Sequence, residues 1–144
     1  AWILKHNQII PSWENTNKFA LAKTKVMSGD KDIDLESLYG FVNDNKAKIW
    51  DGWIRRYVGE ILLNIDDQHM VEAQDWIIEA IEADQSNGVM LNLGKSYALY
   101  AELLRRKGDS KAAGKNMHRA IEIFRNCGAD ETLRDAEKKL ASQS

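Results

Sequence analysis

The chain has 144 residues, of which 44% are hydrophobic, and 20 basic against 22 acidic residues give a net charge of −2. This composition fits one soluble globular domain and excludes a general nucleic-acid binder, which would carry a basic face. Cys127 is the one cysteine, which excludes an intrachain disulfide and indicates a reducing, cytoplasmic compartment, and no apolar run reaches the roughly 20 residues of a membrane helix.

The first residues, "AWILKHNQIIP", lack an initiator methionine and the basic-then-apolar layout of a signal peptide. We expect residues 1–11 to be the end of a preceding helix or of a truncated repeat, stopped by Pro11.

After Pro11 the chain is compatible with helix, apart from short polar breaks. Asp109 and Asp130 stand where an N-cap would accept free backbone N–H groups, and Gly108 stands where a helix ends in a positive-φ residue. The predicted breaks are Ser28–Asp32, Asn43–Asn45, Asp66–Gln68, Asp84–Gly88, Lys107–Ser110 and Asn126–Asp130.

Between these breaks the apolar residues recur at helical spacing, and no segment alternates with period two, so the sequence predicts an all-α fold. The predicted core stripes begin at Trp50, Met70, Tyr97 and Ala113. The aromatic residues on these stripes are expected to pack between helices.

The chain also repeats itself at an offset of 40 residues. When 49–84 is compared with 89–124, six of 36 pairs are identical. Two alanines lie seven apart in the second helix of each unit, Ala73 and Ala80, then Ala113 and Ala120. Small residues at these places would let paired helices approach closely, as in helical-hairpin solenoids.

On these residues the stretch "YAELLRRKGDSKAAGKNMHRAIEIF" resembles a tetratricopeptide (TPR) repeat, although 40 residues exceed the usual 34. The resemblance implies a right-handed superhelix. About three hairpins would occupy 12–128, and a C-terminal capping helix with a polar tail would occupy 129–144. Leu133, Ala136 and Leu140 would cover the last hairpin.

The C-terminal part is also similar, more loosely, to the TPR arrays that end large bacterial ATPase or nucleotide-cyclase regulators. The implied function is a non-catalytic protein–protein interaction module, the C-terminal regulatory or sensory region of a signalling protein. No cofactor is implied, and neither nucleic acid nor membrane is an expected partner.

In TPR arrays the first helix of each unit lines a concave groove that holds peptides. The resemblance implies that this groove has basic residues at its ends and apolar residues in its middle. Such a lining suits an acidic protein or peptide segment. Its lining would be Thr16, Phe19, Lys23, Arg55, Val58, Leu62, Lys95, Ala98, Glu102 and Arg105.

Other candidate sites are weaker. The three histidines have no metal-binding spacing, Cys127 has no partner base in sequence, and "GKS" at 94–96 lacks the upstream glycine of a phosphate loop. The acidic clusters are explained by helix capping. We therefore expect neither catalysis nor a metal site.

Two alternatives to a peptide groove stay open. One is self-association through an apolar N-terminal side that includes Trp2 and Trp13. The other is a small-molecule sensor pocket within the superhelix.

Overall fold

A computed structural model describes residues 10–143, and 85% of these lie in helices. This range contains no strand, which confirms the all-α class. Seven α-helices span α1 Ile10–Met27, α2 Leu35–Asp44, α3 Asp51–Ile65, α4 Met70–Asn87, α5 Met90–Arg106, α6 Ser110–Asn126 and α7 Asp130–Ser142, with single 3₁₀ turns at Lys48–Trp50 and Asp67–His69.

The turn between α5 and α6 forms as the sequence predicts. Gly108 has φ of 85°, in the left-handed region, and the Asp109 side chain accepts a hydrogen bond from the backbone N–H of Ala112. The same prediction for Asp130 is wrong, because this residue is already the first residue of α7 and Ala129 is the N-cap. A carboxylate in the first turn still favours the helix through its dipole.

Pro11 lies in the first turn of α1 rather than at a helix end. Proline suits this place, because the first N–H groups of a helix have no intrahelical partner to lose. The expected helix before Pro11 falls on 1–9, outside the described residues.

Helices α3 to α7 pack mainly on their neighbours in the chain, whereas α1 packs mainly on α3. The closest pairs are α3 with α4 and α5 with α6, joined by short connections that make the paired helices antiparallel. Contacts also join alternate helices, α1 to α3 and α3 to α5, and α7 packs on α6. This order of contacts is compatible with a helical repeat fold.

Two hydrophobic clusters form the core. The larger spans α1 through α4 and includes Phe19, Ile77 and Leu103 of α5, whereas the smaller joins α5, α6 and α7 around Phe124. The repeated alanines are all buried, and Ala80 and Ala120 are fully so. Trp50 departs from its predicted core stripe, because it lies in the 3₁₀ turn before α3 and is partly exposed.

Within residues 10–143, no helix is both long and apolar enough to cross a membrane.

Candidate binding groove

A groove of about 480 Å³ runs along one side of the helices, and we call it the central groove. Its walls come from α1, α3 and α5, with α7 and two residues of α6 along one side. We call central those charged lining residues that interact with one another: Lys23 on α1, Arg56 and Glu60 on α3, and Lys95 on α5. Ala98 and Leu99 supply an apolar strip beside them. The groove therefore combines a basic centre with an apolar wall.

One of the central cations is neutralised within the protein. The Nζ of Lys23 lies 2.9 Å from Oε2 of Glu60, and both side chains are largely buried. The pair joins α1 to α3 across the groove.

The other two central cations have no ion-pair partner among the described residues. Arg56 is 7% exposed, and its Nε is buried without a hydrogen-bond partner in the protein. Lys95, on α5, is half-buried. A buried cation whose N–H group lacks a hydrogen-bond partner is costly, so Arg56 differs from the exposed lysines and arginines elsewhere.

The ring of Tyr57 contacts two of the central cations, Lys23 and Arg56. The Nζ of Lys23 lies 4.8 Å from the centre of the Tyr57 ring, and Cζ of Arg56 lies 5.4 Å from it. The ring is held in turn by Trp53, stacked with a centroid distance of 4.0 Å. Cation–π attraction thus fixes where the positive groups lie.

The pKa values of Lys95 and Arg56 reflect their burial and the charges near them. Burial lowers the pKa of the Lys95 ammonium, and the positive charges of Arg56 and Lys23 lower that pKa further. Burial also lowers the pKa of Arg56, opposed by the charges of Glu60, Tyr57 and Asp84. Like charges therefore converge at the centre of the groove.

A buried carboxylate lies behind Arg56. Asp84 on α4 is fully buried, accepts a hydrogen bond from the Ser96 hydroxyl at 3.2 Å, and leaves Oδ1 without a partner. Burial raises its pKa to about 6, although the hydrogen bond from Ser96 and the charge of Arg56 act in the opposite direction. The polar run at 84–88 predicts a break at Asp84, which is wrong, because α4 continues to Asn87.

The far end of the groove is closed by a compact ion cluster. Glu102 accepts hydrogen bonds from Arg105 and Arg106, and these bonds, the bond from Arg105 foremost, lower its pKa to about 2. Arg106 also donates to the backbone carbonyl of Leu63 at 2.8 Å and to Oδ1 of Asn64 at 3.1 Å. These contacts tie the end of α5 to the end of α3.

Four of the residues predicted for the groove do line it: Lys23, Lys95, Ala98 and Glu102. Val58 and Leu62 are fully buried, so the prediction that they form its apolar middle is wrong. Phe19 and Thr16 are likewise buried in the core rather than in the groove wall.

The two predicted arginines lie elsewhere. Arg55 forms ion pairs with Asp51 at 2.9 Å and with Glu79 of α4 at 3.2 Å, on the other side of the hairpin. Arg105 is exposed and does not line the central groove.

Arg56 is one of the groove residues that the sequence pattern does not predict. It is the sixth residue of α3, as Lys95 is the sixth of α5, so the first helices match at an offset of 39. The 40-residue offset paired Lys95 with Arg55, and one residue turns a helix by about 100°. When the repeats are aligned by the first residues of their helices instead of by identical residues, Lys95 pairs with Arg56.

The remaining candidate groups have ordinary surroundings. His118 is exposed, with Nδ1 2.8 Å from the carbonyl oxygen of Gly114, and Cys127 is a free, exposed thiol. Among residues 10–143, no three potential metal ligands of the histidine, cysteine or carboxylate types lie together.

Comparisons with protein-family models, with curated protein sequences and with solved structures find no match for this chain.

Proposed function

We propose that the chain is a TPR-like solenoid that holds an acidic polypeptide segment in the central groove. The observation that carries this proposal is the groove itself, whose basic centre of Lys23, Arg56 and Lys95 borders an apolar wall. An apolar wall supplies desolvation energy to a bound segment, and the cations attract and orient acidic side chains.

The arrangement of helices supports the repeat part of the proposal. The hairpins α3–α4 and α5–α6 begin 39 residues apart, and alternate helices α1, α3 and α5 lie side by side. In this proposal α7 is the capping helix, because Ala136 is buried against α6 while Glu137 and Lys138 are exposed. The proposed role as a non-catalytic regulatory region of a larger signalling protein rests on the sequence resemblance.

A selection from a displayed library of random peptides tests the proposed function. We expect enriched peptides to be acidic with interspersed apolar residues, and their binding to weaken as salt screens the charges. Lys95→Glu reverses a half-exposed groove charge and should abolish that binding, whereas Lys111→Glu on exposed α6 should not. Enrichment of basic peptides, or equal binding by the Lys95→Glu variant, would refute the proposal.

Self-association is the second candidate function, favoured by two apolar side chains on α1. Leu21 and Met27 are each 60% exposed, and contact with a second copy of the chain would cover them. Size-exclusion chromatography with light scattering tests this candidate. A dimer that Leu21→Glu converts to monomer would favour it, and a monomer at all concentrations would refute it.

A further inference from the structure

Three cationic side chains lie near one another in the central groove, beside the carboxylate of Glu60. Lys23, Arg56 and Lys95 all line the groove, and Glu60 compensates Lys23. Arg56 and Lys95 keep two positive charges without an ion-pair partner in the described residues. Even with the charge of the buried Asp84 behind Arg56, the three cations outnumber the carboxylates that interact with them.

The arrangement is held in place by the protein rather than formed from mobile surface lysines. Tyr57 contacts both Lys23 and Arg56, and Arg56 is more than nine-tenths buried with its Nε unpartnered. The buried carboxylate of Asp84 lies behind Arg56 and does not line the groove; it packs against Gly52 and accepts a hydrogen bond from Ser96. A preorganised cluster of like charges is the usual form of an anion site, because the bound anion removes the repulsion.

The charge and number of donors indicate the class of anion. A phosphate monoester carries close to two negative charges at neutral pH, more than the single charge of a carboxylate. It also has three terminal oxygens, which matches one guanidinium and two ammonium groups in number. We propose that Lys23, Arg56 and Lys95 form a binding site for the phosphoryl group of a phosphomonoester.

This inference rests on the proposed function, in which the central groove is a binding surface. Its test, however, needs no polypeptide partner. A phosphate titration can succeed where the peptide selection fails, and the reverse also holds. The two proposals can therefore be rejected separately.

Titration with inorganic phosphate at constant ionic strength, followed by ¹H–¹⁵N NMR, tests the site. We expect a saturable shift of the Arg56 Nε–H signal, and binding at least roughly tenfold weaker for acetate. Lys95→Gln should weaken phosphate binding by at least about tenfold, while the matched change Lys111→Gln at an exposed position should not. Lys95 is half-exposed, so this variant should fold even if a change at buried Arg56 does not.

Two further probes, a short phosphoserine peptide and its unphosphorylated form, identify the source of the phosphoryl group. Binding of the phosphopeptide tighter than inorganic phosphate would support the site and assign it to a phosphorylated protein segment. Binding no tighter would support the site and assign it to a free phosphorylated small molecule. An absent or unsaturable phosphate shift, acetate binding as tight as phosphate, or unchanged affinity in Lys95→Gln would overturn the proposal.

Discussion

The carboxylate of Asp84 on α4 lies directly against the Cα of Gly52 on α3. A methyl group added at Gly52 would overlap both the carboxyl carbon and Oδ1 of Asp84. Gly52 thus provides the space in which a charged side chain is buried at a helix crossing, beside Ser96 and behind Arg56.

Gly52→Ala tests this contact. The new methyl group meets a buried side chain in a packed core, so we expect the free energy of unfolding to fall by about 1–3 kcal/mol. The matched control is Gly40→Ala in α2, where a Cβ meets nothing within 4 Å. That change should stabilise the chain by about 0.5–1 kcal/mol, as alanine does in an open helix position. Urea unfolding followed by circular dichroism measures both, and two changes of the same sign would contradict the contact.

The buried carboxyl of Asp84 should make stability depend on pH. Its pKa is raised from 3.8 to about 6, so between these values the folded chain keeps a proton that the unfolded chain has released. The free energy of unfolding therefore falls as the pH rises through this range, by about 3 kcal/mol in total from this group. Arg56 from α3 and Ser96 from α5 are the groups that oppose the shift.

Asp84→Asn removes the titration while keeping the shape of the side chain. We expect the difference in unfolding free energy between this variant and the wild-type chain to grow in the variant's favour from pH 4 to pH 7. Urea unfolding at several pH values gives that difference. A constant difference across the range would mean that Asp84 titrates as an exposed carboxyl does.

The small residues of the second helices should not accept larger side chains. Ala80 and Ala120 are each 0% exposed, so Ala80→Leu or Ala120→Leu should cost about 1–3 kcal/mol by overpacking the hairpin. Ala112, which the repeat pattern places on the exposed face, is half-buried, and the exposed Ala141 is the better control. Thermal unfolding compares Ala80→Leu and Ala120→Leu with Ala141→Leu. Equal unfolding temperatures of the three variants would refute the close packing of the paired helices.

Arg106 should contribute more to stability than its neighbour Arg105. Its guanidinium donates to Glu102, to the carbonyl of Leu63 and to Asn64, whereas Arg105 bonds only to Glu102. Arg106→Lys cannot keep this fork of bonds between α5 and α3, so we expect a loss of about 1–2 kcal/mol. Arg105→Lys is the matched control and should have a smaller effect. A larger loss in Arg105→Lys would contradict the assignment.

The parts of the fold that could be predicted from sequence are those set by local chemistry. Gly108 and Asp109 form the predicted turn because a positive-φ glycine and an N-cap carboxylate act within a few residues. The alanines at 73, 80, 113 and 120 are buried as predicted. Their seven-residue spacing puts both alanines of each helix on the same face, where small side chains allow close packing.

The errors concern rotation and helix length, which tertiary packing decides. A one-residue error in the offset exchanged Arg56 for Arg55, which faces Glu79 instead of the groove. The polar run "DQSNG" indicated a break, but the pocket at Gly52 and the hydrogen bond from Ser96 accommodate Asp84 inside the core. Val58 and Leu62 were assigned to a surface because a single-repeat pattern does not show that both sides of α3 are covered.

The most direct test of the central groove as the binding surface is an NMR map of backbone amide shifts with a peptide taken from the library selection. The account predicts that the largest shifts fall around Lys23, Glu60, Lys95 and Ala98, on α1, α3 and α5. Shifts confined to the outer faces of α4 and α6, with those four residues unaffected, would contradict it.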